Sequence, residues 1–229
     1  MTLERASEVD KFDRYAQSYR EAHAASIQAS GEGPEYFARH KLQCLARMGL
    51  SRGQRVLDYG CGTGSLTRLL LERCDSVCGY DPSARSLEQA RQVAAGASYY
   101  ADEREIPAGI FDLVVLSGVL HHVPPAERAR VLETVASKLR LGGRVVIFEH
   151  NPYNPLTVKA VQDCPFDDDA ILLPPSELRR LLHGARLGSV RQDFVLFFPR
   201  ALRLLRPLEP WLRWLPVGAQ TLTSATRVA

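Results

Sequence analysis

What this 229-residue chain lacks narrows its class before any motif is read. It has no run approaching the ~20 consecutive apolar residues that a spanning helix needs. Its first residues, MTLERASEVDKFDRYAQ, carry acids where a secretory leader would have an apolar core, so a cytoplasmic location is expected. The five cysteines (Cys44, Cys61, Cys74, Cys78, Cys164) form an odd set without paired CxxC spacing. That fits reduced thiols better than a disulfide framework or a zinc site, and no metal is expected. Low-complexity tracts, internal repeats and any linker long enough to separate a second domain are also missing. The net charge of +3 is too small to imply a polyanion, so no nucleic-acid partner is expected. What remains is a chain of ordinary globular composition, 45% apolar and 24% charged, long enough to bury a full core.

From about residue 54 strand and helix patterns alternate with short connections, which predicts a parallel sheet covered on both faces. Arg55 to Tyr59, Val77 to Tyr80, Phe111 to Leu116 and Arg144 to Glu149 read as strands. Helical spacing follows at Leu66 to Arg73, from Pro82-Ser83 to Val93, and from Pro125 to Leu139, where Leu141-Gly142-Gly143 is expected to stop the helix. Residues 1–50 read as a helical cap, with Ala38, Leu42, Leu45 and Met48 on one side of a helix from Tyr36 to Met48. Residues 51–229 read as the main domain. Asn151 to Pro175 is rich in Pro and Asp, a helix covers Ser176 to Leu182, and strands lie near 190–198 and 221–228. Between those strands, Leu204, Leu208, Trp211 and Leu215 line one stripe of a segment that Pro207 and Pro210 divide into two helical pieces. This segment, 200–216, reads as a lid-like insertion packed over a pocket, with a membrane-surface element as the alternative.

The most informative stretch is Val56-Leu57-Asp58-Tyr59-Gly60-Cys61-Gly62-Thr63-Gly64, where the first strand turns into a helix. Open α/β sheets bind ligands in the crevice at that turn. A dinucleotide site would place a third glycine where Ser65 stands, and Asp58 would repel a diphosphate. A carboxylate there suits a ligand bearing an ammonium and a sulfonium, such as S-adenosylmethionine. Asp81, 23 positions after Asp58, ends the second strand where a carboxylate can accept from both ribose hydroxyls. Asp102, past the third strand, is placed to accept from an adenine amino group.

With LDYGCGTG, GYDPS, YYADEREIP, FDLVVLSGVLHHV and LRLGGRVVIFEHNP in order, residues 54–149 resemble the class I S-adenosylmethionine-dependent methyltransferases. The LHHV and EHNP segments look most like the small-molecule, quinone-biosynthesis-like branch. Leu141 stands where that family usually has a proline before its paired glycines. The resemblance implies a Rossmann-like, doubly wound α/β sheet of seven strands, the last antiparallel. It also implies a donor site drawn from Asp58, Gly60, Cys61, Gly62, Gly64, Asp81, Pro82, Asp102, Ser117 and, in the cap, Tyr19, with Tyr15 nearby, and S-adenosylhomocysteine as product.

Methyl transfer from a sulfonium needs placement and exclusion of water more than acid–base work. If the acceptor is a hydroxyl a base helps, and His150 with Glu149 beside it comes first, ahead of His121 and His122. Each histidine can equally be a pocket wall. Three look-alikes are set aside. Asn151-Pro152-Tyr153 follows the wrong strand for an amine-methylating NPPY element, and Cys164-Pro165 has the wrong order for a nucleophilic cysteine. Asp167-Asp168-Asp169 reads as a solvated turn, since three adjacent side chains cannot all face one ion. The expected activity is methyl transfer to a small apolar or amphiphilic acceptor, with possible peripheral membrane contact through 200–215. An RNA or protein methyltransferase and a non-catalytic donor-binding protein are the alternatives.

Overall fold

A computed structural model describes residues 25–165 and 167–229; Tyr15 and Tyr19 lie outside the described residues. Seven strands form one sheet: β1 (Arg55–Tyr59), β2 (Ser76–Tyr80), β3 (Ser98–Tyr100), β4 (Phe111–Ser117), β5 (Leu139–His150), β6 (Leu187–Val195) and β7 (Gln220–Arg227). Their spatial order is β3-β2-β1-β4-β5-β7-β6. The first five run parallel, and β7 is antiparallel to both β5 and β6. The expected seven-stranded, doubly wound architecture with an antiparallel last strand is therefore the one observed.

Helices cover both faces, which is why β4 (FDLVVLS) is an almost unbroken apolar run. On one side, α1 (Pro34–Arg47) and α2 (Ser65–Leu71) bury Leu42, Leu45, Leu66 and Leu69 against β1 and β4. Beside α2, α3 (Ala84–Val93) starts at Ser83, whose hydroxyl accepts from the Ser86 amide. On the other face, α4 (Arg128–Lys138) and α6 (Pro175–Gly184) bury Val131, Leu132, Val135, Leu178 and Leu182. Further α-helices among the described residues are α5 (Pro155–Gln162) and the short α7 (Glu209–Leu212).

One local expectation is corrected. Leu141-Gly142-Gly143 does not end a helix; α4 stops at Lys138, and the glycines lie inside β5. Gly142 has φ +75°, and a Cβ on Gly143 would meet the Phe111 carbonyl at 2.8 Å, so the pair forms the irregularity at which β4 and β5 change register. The Pro/Asp-rich stretch after β5 contains a full helix, α5. Its start was written in Asn154-Pro155: the Asn154 side chain caps the Thr157 amide and proline occupies the first turn.

The segment after β6 is a 3-10 stretch over Arg200–Leu208 followed by α7, two short pieces as the prolines implied. Its apolar stripe does not pack as a lid. Leu204 is 87% and Trp211 71% exposed, because the inward-turned positions are filled by polar anchors such as Arg206, which pairs with Glu32 and lies over the Tyr36 ring.

The strand order reverses between β1 and β4, so a crevice opens beyond their C-terminal ends. At its base Gly64 has φ +81°, and a Cβ there would lie 2.9 Å from the Ala90 backbone. We expect Gly64→Ala to destabilise the protein by about 1–3 kcal/mol, read as a lowered urea midpoint. Gly62→Ala should cost less, since its Cβ would meet nothing within 4 Å.

Candidate functional site

The turn after β1 is pinned before any ligand arrives. The amides of Gly60 and Cys61 both donate to the Tyr80 carbonyl at the end of β2, at 2.7 and 2.9 Å. Gly62 N–H donates to Asp81 Oδ2 and Ser83 N–H to Asp81 Oδ1, each at 2.9 Å. Asp81 thus joins the glycine turn to the start of α3 through both oxygens, and a carboxylate oxygen can accept more than one hydrogen bond. Pro82 lies beside it, exposed. The Cys61 side chain is buried, and burial followed by the nearby carboxylates pushes its thiol well up. Cys61 therefore contributes its backbone to this turn, not its sulfur.

Asp58 lies under the turn, 1% exposed. Its Oδ2 accepts from Thr67 Oγ1 at 2.7 Å, but its Oδ1 is buried with no hydrogen-bond partner among the described residues. Burial drives its pKa up to about 6, against the pull of Thr67 and of Lys41. An unsatisfied buried carboxylate oxygen below a glycine turn with open space above Gly62 is the arrangement that a cationic nucleoside ligand would complete.

Asp102 stands differently from expectation. Both of its oxygens accept from the Arg104 guanidinium, which brings its pKa down to about 2. An adenine contact there would compete with Arg104, a local pairing that the spacing of acids alone did not disclose.

At the end of β4, Ser117 accepts from Lys41 Nζ at 2.7 Å. Lys41 is the main residue that sequence reasoning missed. The signal was present: position 41 falls three after Ala38 and four before Leu45, on the inward stripe of α1, where a cation needs a reason. Burial lowers its pKa to about 8 despite the attraction of Asp58 and Glu149.

The four expected acid–base residues come together, with unequal tasks. Glu149, 1% exposed, accepts from the amides of Val119 (3.1 Å) and Leu120 (2.7 Å) through Oε1, and its Oε2 lies 2.6 Å from His121 Nδ1. It holds the 3-10 turn Leu120–His122 and does not face an open cavity. Burial opposes the charge on His121, but Glu149 and Asp167 outweigh it and raise the pKa to about 9. His150, ring to ring 4.9 Å from His121, is pushed down to about 4 by burial and then by that neighbouring charge.

Asp167 overturns the reading of the three aspartates as a solvated turn. It is 8% exposed, with Oδ1 at 3.3 Å from His122 Nε2 and 3.8 Å from His121 Nε2. The loop between α5 and α6 is tied to the histidine turn from both sides. Ile171 N–H donates to the His121 carbonyl, and Arg128, itself 1% exposed, donates to the carbonyls of Leu120, Val123 and Ile171. Nothing in the local sequence announces this closure. Asn151, set aside as part of a look-alike, donates to the carbonyls of Pro216 and Gly218 and so fastens the strand ends.

His150 and Lys41 open into a cavity of about 190 Å³. Its walls include Tyr36, Phe37, Leu196 and Phe197, and Gln220 lies there with its Oε1 buried and without a hydrogen-bond partner among the described residues. An apolar chamber with a few convergent polar groups, tied through Lys41 to a turn with an unsatisfied carboxylate, has the features of a two-ligand site.

Comparison with known proteins places that architecture. The chain belongs to the methyltransferase-domain family, whose model matches residues 30–202. It is 30% identical over 145 residues to an uncharacterized methyltransferase of Geobacillus kaustophilus, covering 60% of this chain and 64% of that one. It is 34% identical over 125 residues to the trans-aconitate 2-methyltransferase of an Azoarcus species, covering 53% and 49%. The chain spans less than two thirds of the length of such curated relatives. Among solved structures, the magnesium protoporphyrin IX methyltransferase of Synechocystis with bound SAH superposes with a TM-score of 0.68 at 18% identity, over 98% of this chain and 99% of that one.

Because the folded protein holds the Asp58 proton more tightly than the ordinary 3.8, the stability from this group is complete below about pH 4 and lost as the pH rises through 6. Asp58→Asn removes that loss. We expect the variant to be more stable than the parent at pH 8 in the absence of ligand, by up to about 3 kcal/mol, and the gap to close by pH 4. Thermal melts at the two pH values measure it.

Proposed function

We propose that this protein uses S-adenosylmethionine to methylate a small, largely apolar acceptor held in the chamber beside His150. The observation that carries the reading is the unsatisfied Asp58 Oδ1 beneath the glycine turn, together with a chamber of apolar walls whose Lys41 is attracted to Asp58. When bound, S-adenosylmethionine supplies a methyl carbon already activated by its sulfonium, and the acceptor's lone pair displaces S-adenosylhomocysteine. The chain's own work is then positional. Asp58 meets positive charge from below, Asp81 turns its carboxylate to the ribose hydroxyls, and the apolar walls keep water from the reacting pair.

His150, held neutral by its surroundings, accepts a hydrogen bond, or the proton itself, from the acceptor. Glu149 and His121 act behind it as orienting groups, and Lys41 links the two ligand regions through Ser117. The acceptor is read as amphiphilic because Leu204, Trp211 and Trp214, each at least 71% exposed, flank the chamber's Arg206 among further arginines at 200, 203 and 213. Such a surface suits contact with a lipid interface that presents the acceptor. No helix among the described residues is long and apolar enough to cross a membrane.

Calorimetry tests the donor. S-adenosylmethionine should bind, with affinity rising as the pH passes through 6 and Asp58 ionises; tight NAD binding without S-adenosylmethionine binding would overturn the assignment. His150→Ala should lower turnover by about 10²-fold with donor affinity within about twofold, followed by S-adenosylhomocysteine release. Unchanged turnover would make His150 a wall residue.

A further inference from the structure

We propose that His121, His122 and Asp167 form a binding site for one divalent transition-metal ion of the zinc class. Each contributes one ligand atom, and the three atoms lie within 4.8 Å of one another. The separations already approach what a metal requires. Bonds of about 2.0–2.1 Å in tetrahedral geometry put ligand atoms roughly 3.3–3.4 Å apart. Asp167 Oδ1 is 3.3 Å from His122 Nε2 and 3.8 Å from His121 Nε2, so these edges need little or no contraction.

The surroundings are those of a prepared site. His121 Nδ1 is engaged by Glu149 at 2.6 Å, which turns Nε2 toward Asp167, and Glu149 is itself fixed by two backbone amides. A carboxylate behind a ligating imidazole sets its tautomer and strengthens it as a donor. Asp167 Oδ1 is buried with no hydrogen bond of good geometry among the described residues, held only by ion-pair contacts to the two imidazoles that an ion would share. The two ligand-bearing segments, far apart in sequence, are clamped by the Ile171–His121 backbone bond and by the buried Arg128. Little ordering remains for the ion to impose.

The donor set selects the metal. Two imidazoles and one carboxylate suit zinc, cobalt(II), nickel or iron(II), whereas magnesium and calcium prefer all-oxygen shells. Three protein ligands leave a fourth position for water or an acceptor oxygen. Binding of the ion does not depend on the methyl-transfer reading; only a use for the open position would.

The test uses the untagged full chain, stripped with chelator, then loaded with zinc chloride or cobalt(II) chloride and passed through gel filtration. Elemental analysis should find one equivalent per chain, and cobalt(II) should show intense visible bands of tetrahedral coordination. His122→Ala and Asp167→Asn should each weaken zinc binding at least about 100-fold, and Glu149→Gln by about 10–100-fold, with circular dichroism confirming that each variant is folded. Cobalt spectra of the unsubstituted chain keep the test decisive if a variant fails to fold. Absence of stoichiometric metal, or retention unaffected by both ligand substitutions, overturns the proposal. Loss of metal binding with intact donor binding would separate this site from the one at Asp58.

Discussion

A single buried carboxylate organises the active rim of this protein. Glu149, at the end of the interior strand β5, is buried away from solvent and must be satisfied by the chain. It takes two amides from the turn after β4 and an imidazole from the same turn, and so draws the end of one strand onto the end of its neighbour. The positions of His121 and His122 and the reach of His122 toward Asp167 follow from that contact. Remove the charge and the turn loses three partners at once.

Asp58 is the counterpart near the end of β1, on the far side of β4. Both acids are buried, yet Glu149 is matched on both oxygens and Asp58 on one. Environment therefore divides like residues into a structural anion and a waiting one. Lys41 stands between them, bonded to Ser117 and attracted to both, which keeps neighbouring negative charges from dominating the crevice. The cost of leaving Asp58 incompletely paired falls on the ligand-free state, where strain at a binding site is commonly found.

Much of this was legible in the chain. Alternating apolar strands and helices, the glycines at 60, 62 and 64, and acids at successive strand ends marked out the sheet and the ligand crevice. Gly60 and Gly64 adopt φ of +78° and +81°, and Asp81 does meet the glycine turn. The differences from the sequence reading share a cause. Asp102 was captured by Arg104, Asp167 was drawn inward by two histidines, and the Leu–Trp stripe stayed outside because Arg206 and Glu209 took the inward anchoring positions. Each depends on which side chain wins a partner in space, a contest that composition and periodicity do not record.

Short-range rules decided by themselves where strands and helices lie and which turn would face a ligand, because steric limits on φ and the period of apolar residues act over a few neighbouring positions. Only the tertiary structure decided that residues 41, 121, 149, 150 and 167 share one buried neighbourhood. Charges interact through space at a low local dielectric, and their pairing is settled when distant segments are brought together and water is excluded.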